Sequence, residues 1–422
     1  MTINENEIAK LLKVCLEHIG YPPPGPIEIP FLSHRRGDRT LSLVDEGVFA
    51  YHRTVGQLLT QRQISDRYSE EAVHEKLDLV LLDLLELGQA SLREATLRAS
   101  VDKLLASFEE ELPERRYFLG IANVHLEDRL ELGPVTIRAF TEQEYQALLA
   151  RMDSIIDGSQ YYSEREKGSW KRHFTKFLKQ WKGHALAETT SSVERRRGAE
   201  LSRRFLEEAL HVLRFLGGFV YTEKDAAWIG EVGEVQGGMR QILEVAEGEF
   251  SWYSSRTGPL RSFELTNEIR SRLESLGLLE LQDILARDIA QRTELQKALL
   301  NAVVWISRAQ SDDCTEGRFV KFCISMESIL LDKGKYPKGE TMARRLATLL
   351  SGCPEDRDQI ISTGKDIYCI RNDIVHEGFS AQAKAYSPIA RHYALQSTSR
   401  VLTQYEAHDW TTVEAVANWL DQ

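Results

Sequence analysis

Several features that define large classes of proteins are missing from this sequence of 422 residues. It has five cysteines, with no C-x-x-C pair and no histidine nearby at zinc-ligand spacing, so neither a disulfide framework nor a structural zinc site is expected. No stretch approaches the roughly 20 consecutive apolar residues that cross a bilayer. The N-terminal segment is acidic and amphipathic, unlike a signal or transit peptide. We therefore expect a cytoplasmic protein without a membrane partner.

The short motifs that hold common cofactors are missing as well. There is no G-x-x-x-x-G-K-[ST] loop, no G-x-G-x-x-G after a strand, no G-x-S-x-G elbow and no H-E-x-x-H. The glycine-rich segment 230–238 is not followed by the Lys-Ser/Thr pair that holds a phosphate and its metal. The eleven histidines are scattered. We expect no metal and no organic cofactor.

Excess positive charge is also absent. The chain has 64 Asp and Glu against 53 Lys and Arg, a formal net charge of -11. A protein that coats nucleic acid is normally basic over its whole surface, so that role is disfavoured. Local basic patches, or an enzyme that meets RNA only briefly, remain compatible with this charge. The composition is that of a folded chain, and its length predicts two or three domains.

The periodicity of apolar residues predicts a predominantly helical α+β protein. Helices are expected over 4–19, over 70–112 and, ended by Gly217-Gly218, over 194–216. Strands are expected over 117–126 and 130–140, with a bend at Gly133-Pro134. A strand pair, or a strand and loop, is expected over 241–253 near Gly248. The prolines between 22 and 26 predict an extended connector. After Pro259 the pattern is almost wholly helical.

This change of pattern predicts two parts. The first is a mixed α/β region over residues 1–285, which a further split near 150–190 would divide into two subdomains. The second is an all-α region over residues 286–422.

One segment of the all-α region carries residues suited to catalysis, the run from Tyr368 to Gly378. Isoleucines before it have helical spacing and Gly378 is a natural helix terminator, which places Arg371 and His376 in the last two turns of a helix. At about 100° per residue these two side chains are about 140° apart around the axis. Asn372 and His376, four residues apart, share a face.

A cation, an amide and an imidazole clustered in this way suit cleavage of a phosphodiester without a metal. The reference pKa of histidine is about 6.5, so it exchanges protons near neutral pH. The guanidinium of arginine neutralises charge that builds on phosphorus, and in RNA the 2′-hydroxyl is the nucleophile. The structural alternative is that Arg371 and His376 cap the helix and pair with carboxylates such as Asp373 or Glu377.

The amino-acid sequence of this segment resembles the signature of HEPN domains, and most closely that of the Apea-like HEPN group. Tyr368, Arg371-Asn372, Ile374-Val375-His376 and Gly378 carry the resemblance. Upstream, residues 318–322 and 325–330 resemble the first core helix of that group, with an acidic residue before the aliphatic pair, and residues 340–350 fit the intervening helix. The resemblance covers roughly residues 290–410.

The resemblance implies an all-α bundle that acts as a metal-independent endoribonuclease, with two protomers pairing so that both Arg-His sets face one cleft. Arg371 would stabilise phosphate charge, His376 would act as acid or base, and Asn372 would orient the phosphate or the imidazole. Glu327 would hold Arg371 from behind, with Asp373 and Tyr368 beside the site. Domains of this kind serve in antiphage, abortive-infection defence, where the companion region senses a phage-derived trigger. Some have lost catalysis and act as dimerisation or nucleotide-binding modules, and an adaptor that recognises a viral protein is a third possibility.

A second candidate surface lies between Lys167 and His184, a stretch that has six cations and no acidic residue. Lys171, Arg172, Lys176 and Lys179 are interleaved with aromatic residues, which is the composition of a single-strand-binding surface. Because the aromatic residues have helical spacing, the alternative is that they are core and the lysines form a solvated face. Three weaker candidates are Arg195-Arg196-Arg197, a loop patch at His34-Arg35-Arg36, and His392.

Overall fold

The computed structural model describes residues 4–19, 31–36, 39–88, 92–221, 229–232, 238–246, 249–257, 262–334 and 336–422. The predicted proline connector and Gly248 lie outside these residues. The fold is predominantly helical α+β, as predicted. Two compact units are formed, Met1–Tyr117 with Thr190–Arg203, and Phe118–Thr189 with Arg204–Gln422.

The boundaries between these units do not fall near residue 285, where the change in hydrophobic pattern suggests a domain boundary. Helical residues on both sides of that position, such as Leu281, Ile284, Leu295 and Leu299, are buried in one hydrophobic core. The contacts therefore group the chain differently from the predicted division into residues 1–285 and 286–422, which stays an interpretation of the sequence pattern.

The first unit packs helices and one hairpin around its own core. The predicted N-terminal helix is confirmed, and it buries Ile8, Leu12 and Cys15. The assignment of His34-Arg35-Arg36 to a loop was wrong, because these residues pair with the next strand in a regular antiparallel register. The elements are α1 (Glu5–Glu17), β1 (Phe31–Arg36), β2 (Arg39–Val44), α2 (Glu46–Leu59), α3 (Arg62–Ser65), α4 (Glu70–Glu86) and α5 (Glu94–Ala106).

The strands predicted after Pro113 are present. A five-stranded sheet has the order β5-β6-β7-β3-β8, and β4 pairs with β11 in parallel. Gly133 makes the tight β5–β6 connection with a positive φ of 59°, a conformation that suits glycine. The predicted pair over 241–253 is an antiparallel hairpin. The strands are β3 (Arg115–Ala122), β4 (Val124–Leu126), β5 (Leu130–Leu132), β6 (Val135–Ala139), β7 (Ala185–Ser191), β8 (Gly230–Glu231), β9 (Gly238–Ala246), β10 (Glu249–Thr257) and β11 (Phe263–Leu265).

The remaining elements are helices, and one of them is longer than predicted. The third predicted helix does not end at Gly217-Gly218 but continues to Val220. A side chain on Gly218 would collide with Gln310 and Leu395, so this glycine serves close packing and not termination. The helices are α6 (Glu142–Gly158), α7 (Glu164–Trp181), α8 (Arg195–Val220), α9 (Asn267–Glu274), α10 (Leu278–Ala286), α11 (Glu294–Gln310), α12 (Thr315–Leu330), α13 (Lys338–Leu350), α14 (Pro354–Glu377), α15 (Ala383–Gln404) and α16 (Val413–Leu420).

Helix α12 lies among the C-terminal helices and packs against α11, α14 and α15. Its side chains Phe319, Phe322 and Met326 are fully buried, so this helix supplies much of the core against which α14 is placed. Among the residues that the structure describes, no helix combines the length and the apolar character that a membrane span requires.

Candidate active site

Helix α14 places the motif residues as the pattern predicts. Pro354 stands at its first turn, where the missing N–H costs nothing. The helix buries Gly364, Ile367, Ile370 and Ile374, a stripe at helical spacing. Gly378, with a φ of 79°, ends it. The predicted helix is therefore confirmed, and residues 371–376 lie in its last two turns.

Two glycines set the distance between α14 and its neighbour α13. A β-carbon on Gly364 would lie 3.0 Å from the Cβ of Ala343, and one on Gly339 would lie 2.6 Å from the Tyr368 ring. No side chain larger than hydrogen fits at either point without a shift. The backbone that carries the motif is thus held against α13 by direct close packing.

Arg371 is engaged by a carboxylate from α12. Its Nε lies 3.1 Å from Oε1 of Glu327, and its Nη2 donates to Oε2 of the same residue over 3.5 Å. The Nε–Oε1 approach lacks the alignment of a hydrogen bond, so the contact is an ion pair with one long hydrogen bond. The guanidinium also donates to Oδ1 of Asn372 and lies 5.7 Å from the centre of the Tyr368 ring. The structure therefore brings together four of the predicted site residues.

The environment of Glu327 opposes its negative charge. Burial raises the pKa of this carboxyl above its usual range, while Arg371 and Lys338 act in the opposite direction. Burial likewise raises the pKa of the Cys323 thiol and of the Tyr368 hydroxyl. The ionised form of Glu327 thus depends on the positive charge of Arg371. An anion that draws Arg371 away would leave the buried carboxylate without the opposite charge that stabilises it.

His376 is exposed at the end of α14. Within the described part of the chain, the side chains of His376, Asp373 and Glu377 have no hydrogen bond or ion pair. The alternative in which the motif residues pair with Asp373 or Glu377 is therefore not what the geometry shows. The imidazole is accessible to a ligand from solvent, as a group that transfers protons has to be.

Large apolar side chains are exposed around this imidazole. Val375, next to it in the chain, is 51% exposed, and Phe379, one residue after the helix terminator, is 62% exposed. Exposed apolar residues that recur beside one site are typical of surfaces that meet another molecule.

The predicted basic residues lie on α7. Lys171, Arg172, Lys176 and Lys179 line one groove together with Asp153 and Thr175. Nζ of Lys171 donates to Asp157 over 2.7 Å, and this hydrogen bond raises the lysine pKa. The aromatic residues divide, since Trp181 is buried whereas Trp170 and Phe177 are 42% and 41% exposed. The interpretation of these aromatic residues as core therefore holds for Trp181, and nucleic-acid binding by this stretch stays a prediction.

The first unit contains a polar cluster that no sequence pattern predicted. The buried carboxylate of Asp78 accepts from Tyr51 over 2.6 Å and lies 2.9 Å from Nδ1 of His34. The Tyr51 hydroxyl lies 2.9 Å from Nδ1 of His74, whose pKa is lowered first by burial and then by His34. These residues come from β1, α2 and α4, and the contacting pairs are 17 to 44 positions apart, so no local motif reveals them.

The weaker candidates have ordinary surroundings. Arg196 forms ion pairs with Glu71 and Glu75, and Arg197 pairs with Glu200. His392 is exposed on α15. Within the described residues, no group of three or more His, Cys, Asp or Glu side chains is arranged to hold a metal ion.

Comparison of the chain with protein-family models, with curated proteins and with solved structures finds no match. Any functional assignment therefore depends on the geometry of the site and on the resemblance of its motif.

Proposed function

We propose that this protein is a metal-independent endoribonuclease of the HEPN type. The observation that carries the proposal is the arrangement at the end of α14, where Arg371 contacts Glu327 and Asn372 while His376 is left accessible. An arginine with two partners is oriented, and an imidazole without a partner is available for proton transfer.

In the proposed reaction the 2′-hydroxyl of RNA attacks the adjacent phosphorus, and the bond to the 5′ oxygen of the next nucleotide breaks. A neutral His376 imidazole takes the proton of the 2′-hydroxyl. A protonated imidazole, that of the second copy in the dimer, gives a proton to the leaving oxygen. Arg371 compensates the charge on the phosphorane. The products are a 2′,3′-cyclic phosphate and a 5′-hydroxyl.

The homodimer in this proposal is supported by the apolar surface beside the motif. Val375 and Phe379, which flank His376 along the chain, are exposed, and a second copy that covered them would bring two Arg-His sets into one cleft. Burial of this surface also removes water from the site, which strengthens its electrostatic interactions. For residues 1–285 we propose a sensor or regulatory role in antiphage, abortive-infection defence, with a phage-derived trigger.

The alternative function is a non-catalytic HEPN module for dimerisation or nucleotide binding. The contact that favours it is the Arg371–Glu327 ion pair, because a permanently held arginine would leave the imidazole without a partner for the phosphate charge. The two functions differ in one respect: only the nuclease function predicts that substitution of His376 reduces the cleavage of RNA.

The test uses purified full-length protein with structured RNA and excess chelator. Four proteins are compared, namely the wild type, Arg371→Ala, His376→Ala and the control Arg357→Ala, which alters an exposed arginine on the same helix about 21 Å away. We expect the wild type and the control to produce cyclic-phosphate ends with or without chelator, and the two motif variants to produce at least about 100-fold fewer. Equal cleavage by all four proteins would refute the nuclease proposal. Cleavage by none, with protein in large excess over RNA, would favour the binding module.

A further inference from the structure

Lys338 is a cation beside the motif that no sequence pattern indicates. It is the first residue of α13 and is exposed. The next residue, Gly339, packs so closely on α14 that a β-carbon there would lie 2.6 Å from the Tyr368 ring. Because successive Cα atoms are about 3.8 Å apart, the backbone of Lys338 also lies near this ring.

Charged side chains from three helices lie in this region. The guanidinium of Arg371, on α14, lies 5.7 Å from the centre of the Tyr368 ring. Glu327, on α12, holds that guanidinium with an Nε–Oε1 distance of 3.1 Å. Burial raises the pKa of the Glu327 carboxyl, and Lys338, like Arg371, lies close enough to lower it. The carboxylate therefore has two cations within electrostatic reach.

The two cations differ in what they contact. Arg371 contacts Glu327 and Asn372, whereas the side chain of Lys338 has no hydrogen bond or ion pair among the residues that the structure describes. A lysine ammonium is a compact charge on a flexible four-carbon stem, so it can change position without a shift of α13. Lys338 is thus available to a carboxylate that loses its first partner.

Glu327 loses that partner when Arg371 turns to a ligand. Only 20% of the Glu327 side chain is exposed, so water replaces the guanidinium incompletely. An uncompensated charge in such a place is unfavourable, and this cost lowers the affinity of Arg371 for the ligand. A second cation that approaches the carboxylate offsets the cost.

We propose that Lys338 becomes the counter-ion of Glu327 when Arg371 turns to a phosphate. Lys338 is then a positioning residue, which acts on the phosphate through Glu327 and Arg371 and does not touch it. The exchange needs no movement of the backbone, because all three charges stand at the ends of flexible side chains. The inference rests on the proposed function in one respect, the binding of a phosphate by Arg371, which the nuclease and the nucleotide-binding module share.

The experiment measures the affinity for labelled oligouridine by fluorescence anisotropy in the His376→Ala background, so that cleavage does not interfere. Lys338→Gln removes the second cation, and Lys338→Arg retains it. The matched control is Lys365→Gln, which removes an exposed lysine of α14 that pairs with Glu340 over 3.5 Å. Lys338→Gln is also combined with Glu327→Gln, which removes the negative charge and keeps the size of the side chain. Thermal unfolding confirms that each variant is folded.

We expect Lys338→Gln to weaken binding about fivefold, the effect of losing one partly shielded ion pair. Lys338→Arg should restore the affinity of the parent to within about twofold, because arginine carries the same charge. Lys365→Gln should bind as the parent does. In the Glu327→Gln background, Lys338→Gln should have no more effect than Lys365→Gln, because no carboxylate then needs a counter-ion.

Two results would overturn the proposal. An equal loss in both backgrounds would mean that Lys338 contacts the phosphate directly, and no loss in either would mean that Glu327 needs no second cation. Arg371→Ala tests the proposed function separately. If this variant binds as the parent does, Arg371 holds no phosphate and the proposed function fails together with the inference. If it binds weakly while Lys338→Gln binds normally, only the inference fails.

Discussion

His211 makes the stability of the second unit sensitive to mild acid. The imidazole lies on α8, with Nδ1 2.8 Å from the hydroxyl oxygen of the fully buried Ser307. Burial is the main cause that lowers its pKa from 6.5 to about 4, and Arg214 and Arg308 lower it further. The folded protein therefore keeps this histidine neutral at pH values where an unfolded chain protonates it.

The direction and size of the effect follow from these pKa values. As the pH falls below 6.5 the unfolded chain takes up a proton that the native chain refuses, so the free energy of unfolding decreases. Between pH 7 and pH 5 the loss from a shift of this size is about 2 kcal/mol, and by pH 4 it reaches about 3 kcal/mol.

The assay is urea denaturation followed by tryptophan fluorescence at pH 7 and pH 5, on the wild type and His211→Gln. Glutamine retains a polar contact to Ser307 but does not titrate. We expect the variant to lose about 2 kcal/mol less than the wild type over this interval. His392→Gln, which removes an exposed imidazole, reports the effect of losing any one histidine. If the wild type and His211→Gln lose the same free energy, the assigned protonation state of His211 is wrong.

Three further predictions concern the helices around the motif. Arg345→Ala should lower the free energy of unfolding by about 1–3 kcal/mol, because it leaves the buried Leu330 carbonyl without its donor and Asp421, 2.7 Å from the guanidinium, without its partner. Urea denaturation measures this, and an unchanged free energy of unfolding would contradict it. Gly378→Ala should cost about 1–2 kcal/mol through its left-handed backbone, and an unchanged melting temperature would argue against that conformation. Gly364→Leu should push α14 away from Ala343 and abolish cleavage together with native stability; a fully stable variant would mean that the helices do not pack as described.

Local periodicity accounts for the elements that could be predicted. Helix α1 was found because Ile8, Leu12 and Cys15 recur at helical spacing, and β6 because apolar and polar residues alternate. Both signals arise within a few residues of chain, which is the range over which sequence patterns determine secondary structure. The end of α8 was missed because the reason for Gly218 lies in Gln310, about ninety residues further on.

The candidate site was predictable to a similar extent. Arg371 and His376 stand in one short motif, and Glu327 was expected beside Arg371 only through the resemblance. The orientation of Arg371 towards Glu327 and not Asp373 depends on how α12 and α14 pack, which no spacing along the chain encodes. The residues of the Asp78 cluster come from three separate elements. They could not be predicted from the sequence, because their contacts also depend on how those elements pack.

The glycine contacts between α13 and α14 determine which motions are open to the motif. Where Gly339 meets Tyr368 and Gly364 meets Ala343, backbone lies against side chain with no adjustable layer between them. Two helices packed in this way cannot slide past each other by changing rotamers. Glu327 stands on α12, so its contact with Arg371 lies outside this close packing and can open by rotation of either side chain while α13 and α14 stay together. A larger displacement of the motif has to carry α13 with it, which makes it a motion of two helices on a timescale of microseconds or longer.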